Sequence, residues 1–99
     1  MNIVEKNQDR IKELCIQYKV SKLFVFGSVI TDRYSETSDI DFVVDFKNVD
    51  LYDYAKNYFD FKFSLEIVFN RKVDLLEDKA IKNPYLRASI DTSKLMIYG

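Results

Sequence analysis

The stretch KLFVFGSVITDRYSETSDIDFVVDF, residues 22–46, contains two β-rich runs separated by a polar segment. The first run, Lys22 to Phe26, ends at Gly27, which is typical of a buried strand that closes in a turn. Residues 28–38 are polar and irregular. The second run extends from Asp39 to Phe46 and is dominated by β-formers. These features predict two short strands joined by a loop.

Helical periodicity occurs on both sides of this stretch. Residues 3–19 place apolar side chains at i, i+3, i+4 and i+7, which predicts an amphipathic helix. A second helix is predicted from Leu51 to about Asn70, with Asp50 as its N-cap. The remaining predicted elements are a strand over Val73–Leu76, a helix from Pro84 to about Asp91, and a short strand over Lys94–Tyr98. Helices between short strands indicate an α/β or α+β layer fold.

Five side chains on the predicted helices carry specific expectations. Cys15 lies on the apolar stripe of the first helix, so we expect an inert core thiol. Tyr52, Phe59, Phe63 and Phe69 fall off the apolar stripe of the second helix. They are candidates for a second apolar face, either for a helical partner or for packing against each other or a second copy of the chain.

Composition narrows the function classes. The 99 residues predict one domain, and a formal net charge of -1 gives no broad nucleic-acid footprint. The chain has no histidine, which excludes Ser-His and Cys-His nucleophile pairs and histidine-based zinc sites. Any catalysis must therefore use carboxylates. One cysteine, no export signal and no apolar run near 18 residues predict a cytoplasmic protein that does not span a membrane.

Asp39 and Asp41 flank Ile40 at the start of the second predicted strand. Side chains alternate along a strand, so the two carboxylates share one face, about 6–7 Å apart, and Ile40 points into the core. The carboxylates repel one another unless a cation lies between them, and Mg²⁺ prefers such oxygen ligands. A metal site is one interpretation, and an exposed strand end with Asp39 in a turn is the other.

Gly27 and Ser28 close the first predicted strand. Glycine at this position lets a phosphate approach the backbone, and the free N–H groups of a following helical turn would add an anion site. The Ser28 hydroxyl can donate to a phosphate oxygen. A plain strand-ending turn with a serine cap fits the same two residues.

Asp74 lies between two β-formers on the third predicted strand, so its carboxylate should face solvent or a ligand. Beside Asp39 and Asp41 it would complete a three-carboxylate site for two metal ions, which bracket the oxygens of an in-line displacement. Asp74 would lie nearest the nucleophile and accept its proton. Taken alone, Asp74 fits an exposed edge residue equally well.

Gly27-Ser28, ten residues, Asp39-Ile40-Asp41 and then Asp74 between apolar residues resemble the DNA polymerase β-type nucleotidyltransferase superfamily, in its minimal branch. The likeness extends from roughly Lys22 to Tyr98. It implies a small mixed sheet of three to four strands flanked by helices, with ATP and two Mg²⁺ ions bound above it.

The resemblance also implies roles for individual residues. Asp39 and Asp41 would hold both metal ions, Asp74 would join the catalytic one, and Gly27 and Ser28 would contact the triphosphate. Small members of this family act as antitoxins that transfer AMP to a tyrosine of a HEPN-type ribonuclease toxin. The resemblance therefore implies ATP and a helical toxin as partners, and leaves a homo-oligomer open.

One segment departs from the family pattern. Many relatives have a basic residue and a glycine three and four positions after the serine, where this chain has Thr31 and Asp32, followed by Arg33. This departure weakens the expectation of triphosphate contacts in that loop. Two alternative functions stay open: an antitoxin that inhibits by contact alone, and a nucleotidyltransferase for a small-molecule acceptor.

Overall fold

A computed structural model of the chain describes residues 3–27 and 39–99. The elements in chain order are α1 (Ile3–Lys6), α2 (Gln8–Gln17), β1 (Val20–Phe26), β2 (Ile40–Phe46), α3 (Leu51–Phe69), β3 (Val73–Glu77), a 3₁₀ turn (Asp78–Ala80), α4 (Pro84–Ser93) and β4 (Leu95–Tyr98). The four strands form one sheet in the order β3-β2-β1-β4. β1 is antiparallel to β2 and β4, and β2 is parallel to β3. The predicted mixed α+β architecture is confirmed.

One face of the sheet, called the core face here, carries most of the apolar packing. Alternate residues of β2 point to it and are nearly inaccessible to solvent: Ile40, Phe42, Val44 and Phe46. From α3, Phe61 and Leu65 are fully buried against this face, and Phe61 lies 5.9 Å from Phe46, ring centroid to ring centroid. Burying such side chains supplies the main favourable term in folding.

The opposite face, called the site face here, holds the intervening residues of the strands. Val43 of β2 is buried there, and so is Ile90 of α4, although neither belongs to the main core cluster. The Lys94 ammonium at the end of α4 lies 4.3 Å from the ring centroid of Phe24, another site-face residue. Helix α4 therefore covers part of the site face, opposite α2 and α3.

The N-terminal helix begins differently from the prediction. Residues 3–19 were expected to form one helix, but the structure has α1 and α2 separated at Asn7. Asn7 donates a side-chain hydrogen bond to the Ile3 carbonyl oxygen at 2.9 Å. Asparagine side chains compete with the backbone in this way, which explains the interruption. Ile11 and Cys15 still lie on the buried side of α2, as the apolar stripe predicted.

Two expectations for α3 are corrected. Asp50 occupies the N-cap position, but its side chain makes no capping hydrogen bond. Phe69 was assigned to a second apolar face, yet it is only 4% exposed and its ring lies 5.8 Å from that of Phe42. The reason is spacing: Phe61, Leu65 and Phe69 follow one another at i+4, so all three lie on the core side of the helix.

Two further findings concern membranes and the cysteine. No helix within the described ranges has the length and apolar character that a membrane crossing requires. Cys15 is fully buried, and burial raises the pKa of its thiol to about 12. The thiol therefore stays protonated at neutral pH and unreactive, as expected for a core residue.

Phe61 and Phe63 provide a test of which side of α3 holds the fold together. We expect Phe61→Ala to lower the free energy of unfolding by about 3–5 kcal/mol, because it removes a fully buried ring and leaves a cavity. Phe63→Ala is the matched control, since that ring is 53% exposed on the same helix. Urea denaturation measures both variants. Equal losses would contradict the assignment of the core face.

Candidate active site

The pairing of β2 with β3 places two carboxylates side by side. Asp41 and Asp74 are direct partners in the parallel register, on strands about 4.8 Å apart. The residues that precede them, Ile40 and Val73, are also partners and are buried in the core. Strand alternation therefore directs both carboxylates to the site face, at the end of the sheet where β2 and β3 begin.

Gly27 allows the Asp41 carboxylate to lie against the end of β1. Phe26 pairs with Asp41 across the antiparallel strands, and Gly27 follows with a φ of 82°. A Cβ atom at position 27 would lie 2.5 Å from the Asp41 Oδ2 atom, which is closer than real Cβ contacts occur. The left-handed backbone favours glycine, and a Cβ atom would force the Asp41 carboxylate to shift. In the structure the glycine makes room for the Asp41 carboxylate, and the predicted contact of Gly27 with a phosphate stays a prediction.

Electrostatics couples the three predicted carboxylates. The pKa of Asp41 is raised above 3.8, first by burial and then by the negative charges of Asp74 and Asp39. Asp74 is exposed, and so is Asp39, which lies just before β2. Negative charges placed this close together form a region of negative potential, to which a divalent cation is attracted.

The carboxylate oxygens match the ligand preference of Mg²⁺, since this ion binds few protein carboxylates and keeps sites for water and phosphate. In residues 3–27 and 39–99, no three acidic, cysteine or histidine side chains already converge on one point as a metal site. Rotation of exposed side chains would therefore have to close the carboxylates on an ion. The donor chemistry fits the metal, with Asp41 as the half-buried member.

Not every predicted site residue can be placed. The structure brings together Asp41, Asp74 and Gly27, with Asp39 adjacent. Ser28 lies outside the described residues, as does the atypical Thr31-Asp32-Arg33 segment. The expectations for those four residues therefore remain predictions.

A second polar cluster lies at the opposite end of β2 and β3. The Tyr54 hydroxyl donates to Glu77 Oε2 at 2.8 Å, beside a cavity of about 310 Å³. Burial, followed by the hydrogen bond to Glu77, raises the pKa of Tyr54 to about 12. The Asp45 carboxylate lines this cavity, and it lies four residues beyond Asp41 along β2. This cavity is separate from the Asp41 and Asp74 pair.

Sequence reasoning did not identify the aromatic side chains beside the carboxylates. Phe24 and Phe26 alternate with the buried Leu23 and Val25 along β1, so their half-buried rings lie on the site face. Phe26 pairs with Asp41 and lies directly before Gly27. The alternation of buried residues in β1 is the signal that predicts this placement.

Comparison with known proteins gives a family match. Residues 9–99 match the family described as Polymerase beta, Nucleotidyltransferase. Two chains of Methanocaldococcus jannaschii, each named "putative protein adenylyltransferase", are similar over nearly their whole length. One is 35% identical over 96 residues, which cover 97% of this chain and 92% of that one. The other is 33% identical over 95 residues, which cover 96% and 91%.

Solved structures share the fold. A chain described as a "putative minimal nucleotidyltransferase" superposes with a TM-score of 0.76 at 23% identity, covering 96% of this chain and 95% of that one. A chain from a complex of an MNT antitoxin with the tri-AMPylated HEPN toxin of Shewanella oneidensis gives 0.67 at 20% identity, covering 96% and 71%. A chain from a toxin-antitoxin structure with AMP-PNP gives 0.73 at 21% identity, covering 94% and 73%.

Asp41→Asn tests the carboxylate repulsion through stability. The pKa of Asp41 is higher in the folded chain than the ordinary value, so the folded state disfavours its ionised form. The stability that protonated Asp41 contributes is fully present below the ordinary pKa. It is lost as the pH rises through the pKa that Asp41 has in the folded chain. We therefore expect Asp41→Asn, with EDTA present at pH 7, to raise the melting temperature by roughly 2–5 °C. The gain should vanish at pH 3.

The response of the melting temperature to Mg²⁺ distinguishes a metal site from a carboxylate that is strained but binds no ion. Millimolar Mg²⁺ should raise the melting temperature of the wild type and leave that of Asp41→Asn unchanged, because an ion that binds only the folded state stabilises it. Asp45→Asn, at the other end of the same strand face, is the control and should keep the Mg²⁺ response. A response of equal size in Asp41→Asn would remove Asp41 from any metal site.

Proposed function

We propose, because the chain belongs to the Polymerase beta nucleotidyltransferase family, that it transfers AMP from ATP to a tyrosine hydroxyl of a helical, HEPN-type toxin partner. The chain is a nucleotidyltransferase, and its relatives are named as protein adenylyltransferases. One observation carries the proposal: Asp41 and Asp74 are register partners on one face, with the Asp41 carboxylate lying over Gly27.

The proposed reaction needs groups that the site face provides. The acceptor oxygen forms a bond to the α-phosphorus of ATP, the bond from that phosphorus to the bridging oxygen breaks, and pyrophosphate leaves with the bonding electrons. Asp74 accepts the acceptor proton, in line with the absence of histidine from the chain. Two Mg²⁺ ions, when bound, would neutralise phosphate charge and favour the ionised acceptor. Asp39 and Asp41 would hold both ions, and Asp74 the one nearest the acceptor.

Gly27 and Ser28 take the triphosphate in this proposal. Gly27 follows β1 beside Asp41 and has a positive φ. Backbone N–H groups beside such a glycine, together with the Ser28 hydroxyl, are suited to phosphate oxygens. The positions follow the spacing of the family motif, and support for Ser28 comes from that spacing alone.

The proposal of a toxin partner rests on the descriptions of solved structures that share this fold. One neighbour is a complex of an MNT antitoxin with an AMPylated HEPN toxin, and another toxin-antitoxin structure contains AMP-PNP. These descriptions support ATP as donor and a helical toxin as acceptor for this chain. Two alternatives compete with this proposal: inhibition of the partner by contact alone, and transfer to a small molecule.

AMP transfer tests the catalytic proposal directly. Purified protein is incubated with α-labelled ATP, Mg²⁺ and the helical protein encoded beside it. We expect label on a partner tyrosine, a loss of at least about 100-fold in Asp39→Asn/Asp41→Asn, and no label with EDTA present. Asp45→Asn is the matched control, because it removes a carboxylate from the same strand face outside the proposed site.

Neutralisation of the partner separates catalysis from contact. If the double variant silences the toxin in cells as well as the wild type does, the contact-only alternative replaces this proposal. Label on a small molecule with none on the partner would instead favour the small-molecule alternative.

An exposed apolar stripe on α3 is the surface we propose for docking of the partner. Tyr52, Phe59, Phe63 and Ile67 recur every four or seven residues, and each is at least 48% exposed. The Phe59 and Phe63 rings stack with centroids 6.1 Å apart. A stripe of this kind fits the groove of a helical partner, since apolar residues at such spacing are the anchors of helix recognition. The stripe lies on the opposite side of α3 from Phe61.

Phe59→Ser/Phe63→Ser tests this surface. The double variant should weaken partner binding at least about tenfold, because aromatic anchors carry much of the energy of an interface. Its melting temperature should change little, since both rings are about half-exposed. Tyr85→Ser on α4, 86% exposed and away from the stripe, is the control. Calorimetry with the purified partner measures affinity, and undiminished binding would exclude the stripe.

A further inference from the structure

We infer that Lys94 is a phosphate-binding residue, which contacts the β- or γ-phosphate of the bound nucleoside triphosphate; this rests on the proposed function. The inference begins from the topology. β1 ends at Gly27, and β4 runs antiparallel to β1 with Leu95 paired to Val25. Lys94, directly before Leu95, is therefore at the same end of the sheet as Gly27 and Asp41.

The ammonium group of Lys94 lies on the same face as the carboxylates. Its Nζ atom is 4.3 Å from the ring centroid of Phe24, which alternates with the core residues Leu23 and Val25. Phe26, two residues further and about 7 Å along the strand, pairs with Asp41. The Lys94 ammonium thus lies over Phe24, two residues along β1 from the partner of Asp41, and its flexible four-carbon stem allows it to move.

The ion pairs of this region leave Lys94 able to move. Lys94 Nζ is 3.1 Å from Asp91 Oδ1, and Arg87 also approaches that oxygen, at 3.7 Å. If Lys94 turns toward a phosphate, Asp91 keeps a cationic partner. Arg87 itself is held by Asp78, since it donates to the Asp78 side chain at 2.8 Å and to its carbonyl oxygen at 2.6 Å. Arg87 therefore anchors α4. Within residues 3–27 and 39–99, the one ion pair of the Lys94 side chain is with Asp91 and is replaceable.

The charge of the substrate explains why such a cation is needed. ATP at neutral pH carries negative charge on all three phosphates, and Asp39, Asp41 and Asp74 of the proposed site carry charge of the same sign. A lysine at the end of α4 would supply positive charge on this face of the sheet. Lysine is a common phosphate ligand because its ammonium acts as a compact charge with three donors.

Lys94→Met is the test, since methionine keeps the apolar stem over Phe24 and removes the charge. The probes are an ATP analogue with carbon bridging the α- and β-phosphates, and AMP, each with Mg²⁺. By calorimetry we expect about tenfold weaker binding of the analogue and a change below about twofold for AMP, because AMP lacks the outer phosphates. Lys94→Arg should restore most of the affinity. Lys22 lies on the site face of β1 at the end far from Gly27, so Lys22→Met should bind both probes like the wild type.

Each other outcome overturns the inference in a recognisable way. Undiminished analogue binding by Lys94→Met excludes the contact. Equal losses for the analogue and AMP, or a melting temperature well below that of the wild type, assign Lys94 a structural role. The binding assay needs no acceptor. If binding of the analogue depends on Lys94 but no AMP transfer to the partner is detected, the proposed acceptor is wrong and the inference about Lys94 is still supported. A wild type that binds no analogue overturns both.

Discussion

The parallel register of β2 and β3 is the constraint on which the site depends. It pairs Ile40 with Val73 in the core and, one residue later, Asp41 with Asp74 on the opposite face. A slip of one residue would bury the carboxylates and expose the apolar side chains, so hydrophobic burial sets the register. The energy that stabilises the sheet therefore also holds two like charges together. No local attraction between the carboxylates is required.

This arrangement lowers the free energy of unfolding, and the rest of the fold must offset that loss. Asp41 is half-buried and lies beside a second carboxylate, and each of these features is unfavourable by itself. Strain of this kind persists where the surrounding structure determines the local conformation. Here the surrounding structure is the layer of apolar side chains under β1, β2 and β3, packed against α3. The apolar packing that stabilises the fold and the candidate site thus lie on opposite faces of the same three strands.

Residues with strong local patterns could be predicted from the sequence. The strands around Gly27 and Asp41, the long helix α3 and the buried Cys15 all follow from periodicity and spacing. The interruption at Asn7 was missed because a single side-chain hydrogen bond decides it. The stripe predicted from the preceding residues of α3 left Phe69 out, although its i+4 relation to Leu65 places Phe69 on the core side of the helix.

The proximity of Asp41 and Asp74 depends on the order of the strands in the sheet, which local sequence patterns do not contain. The same is true of Lys94 and Phe24, whose contact requires knowing that β4 returns beside β1.

The division of the sheet into two faces also determines what substitutions can reveal. Changes on the core face alter the folded population, and any activity they abolish says nothing about chemistry. Changes at Asp39, Asp74 or Lys94 remove charge near the solvent, so the fold should tolerate them and activity becomes informative. Asp41 belongs to both classes, because its carboxylate lies where the core ends and the site begins. A protein that gains stability when Asp41 is neutralised, while it loses its cation response, has a carboxylate placed for binding at the expense of folding. That opposite movement of stability and ligand response is expected of a functional residue and not of an ordinary strand end.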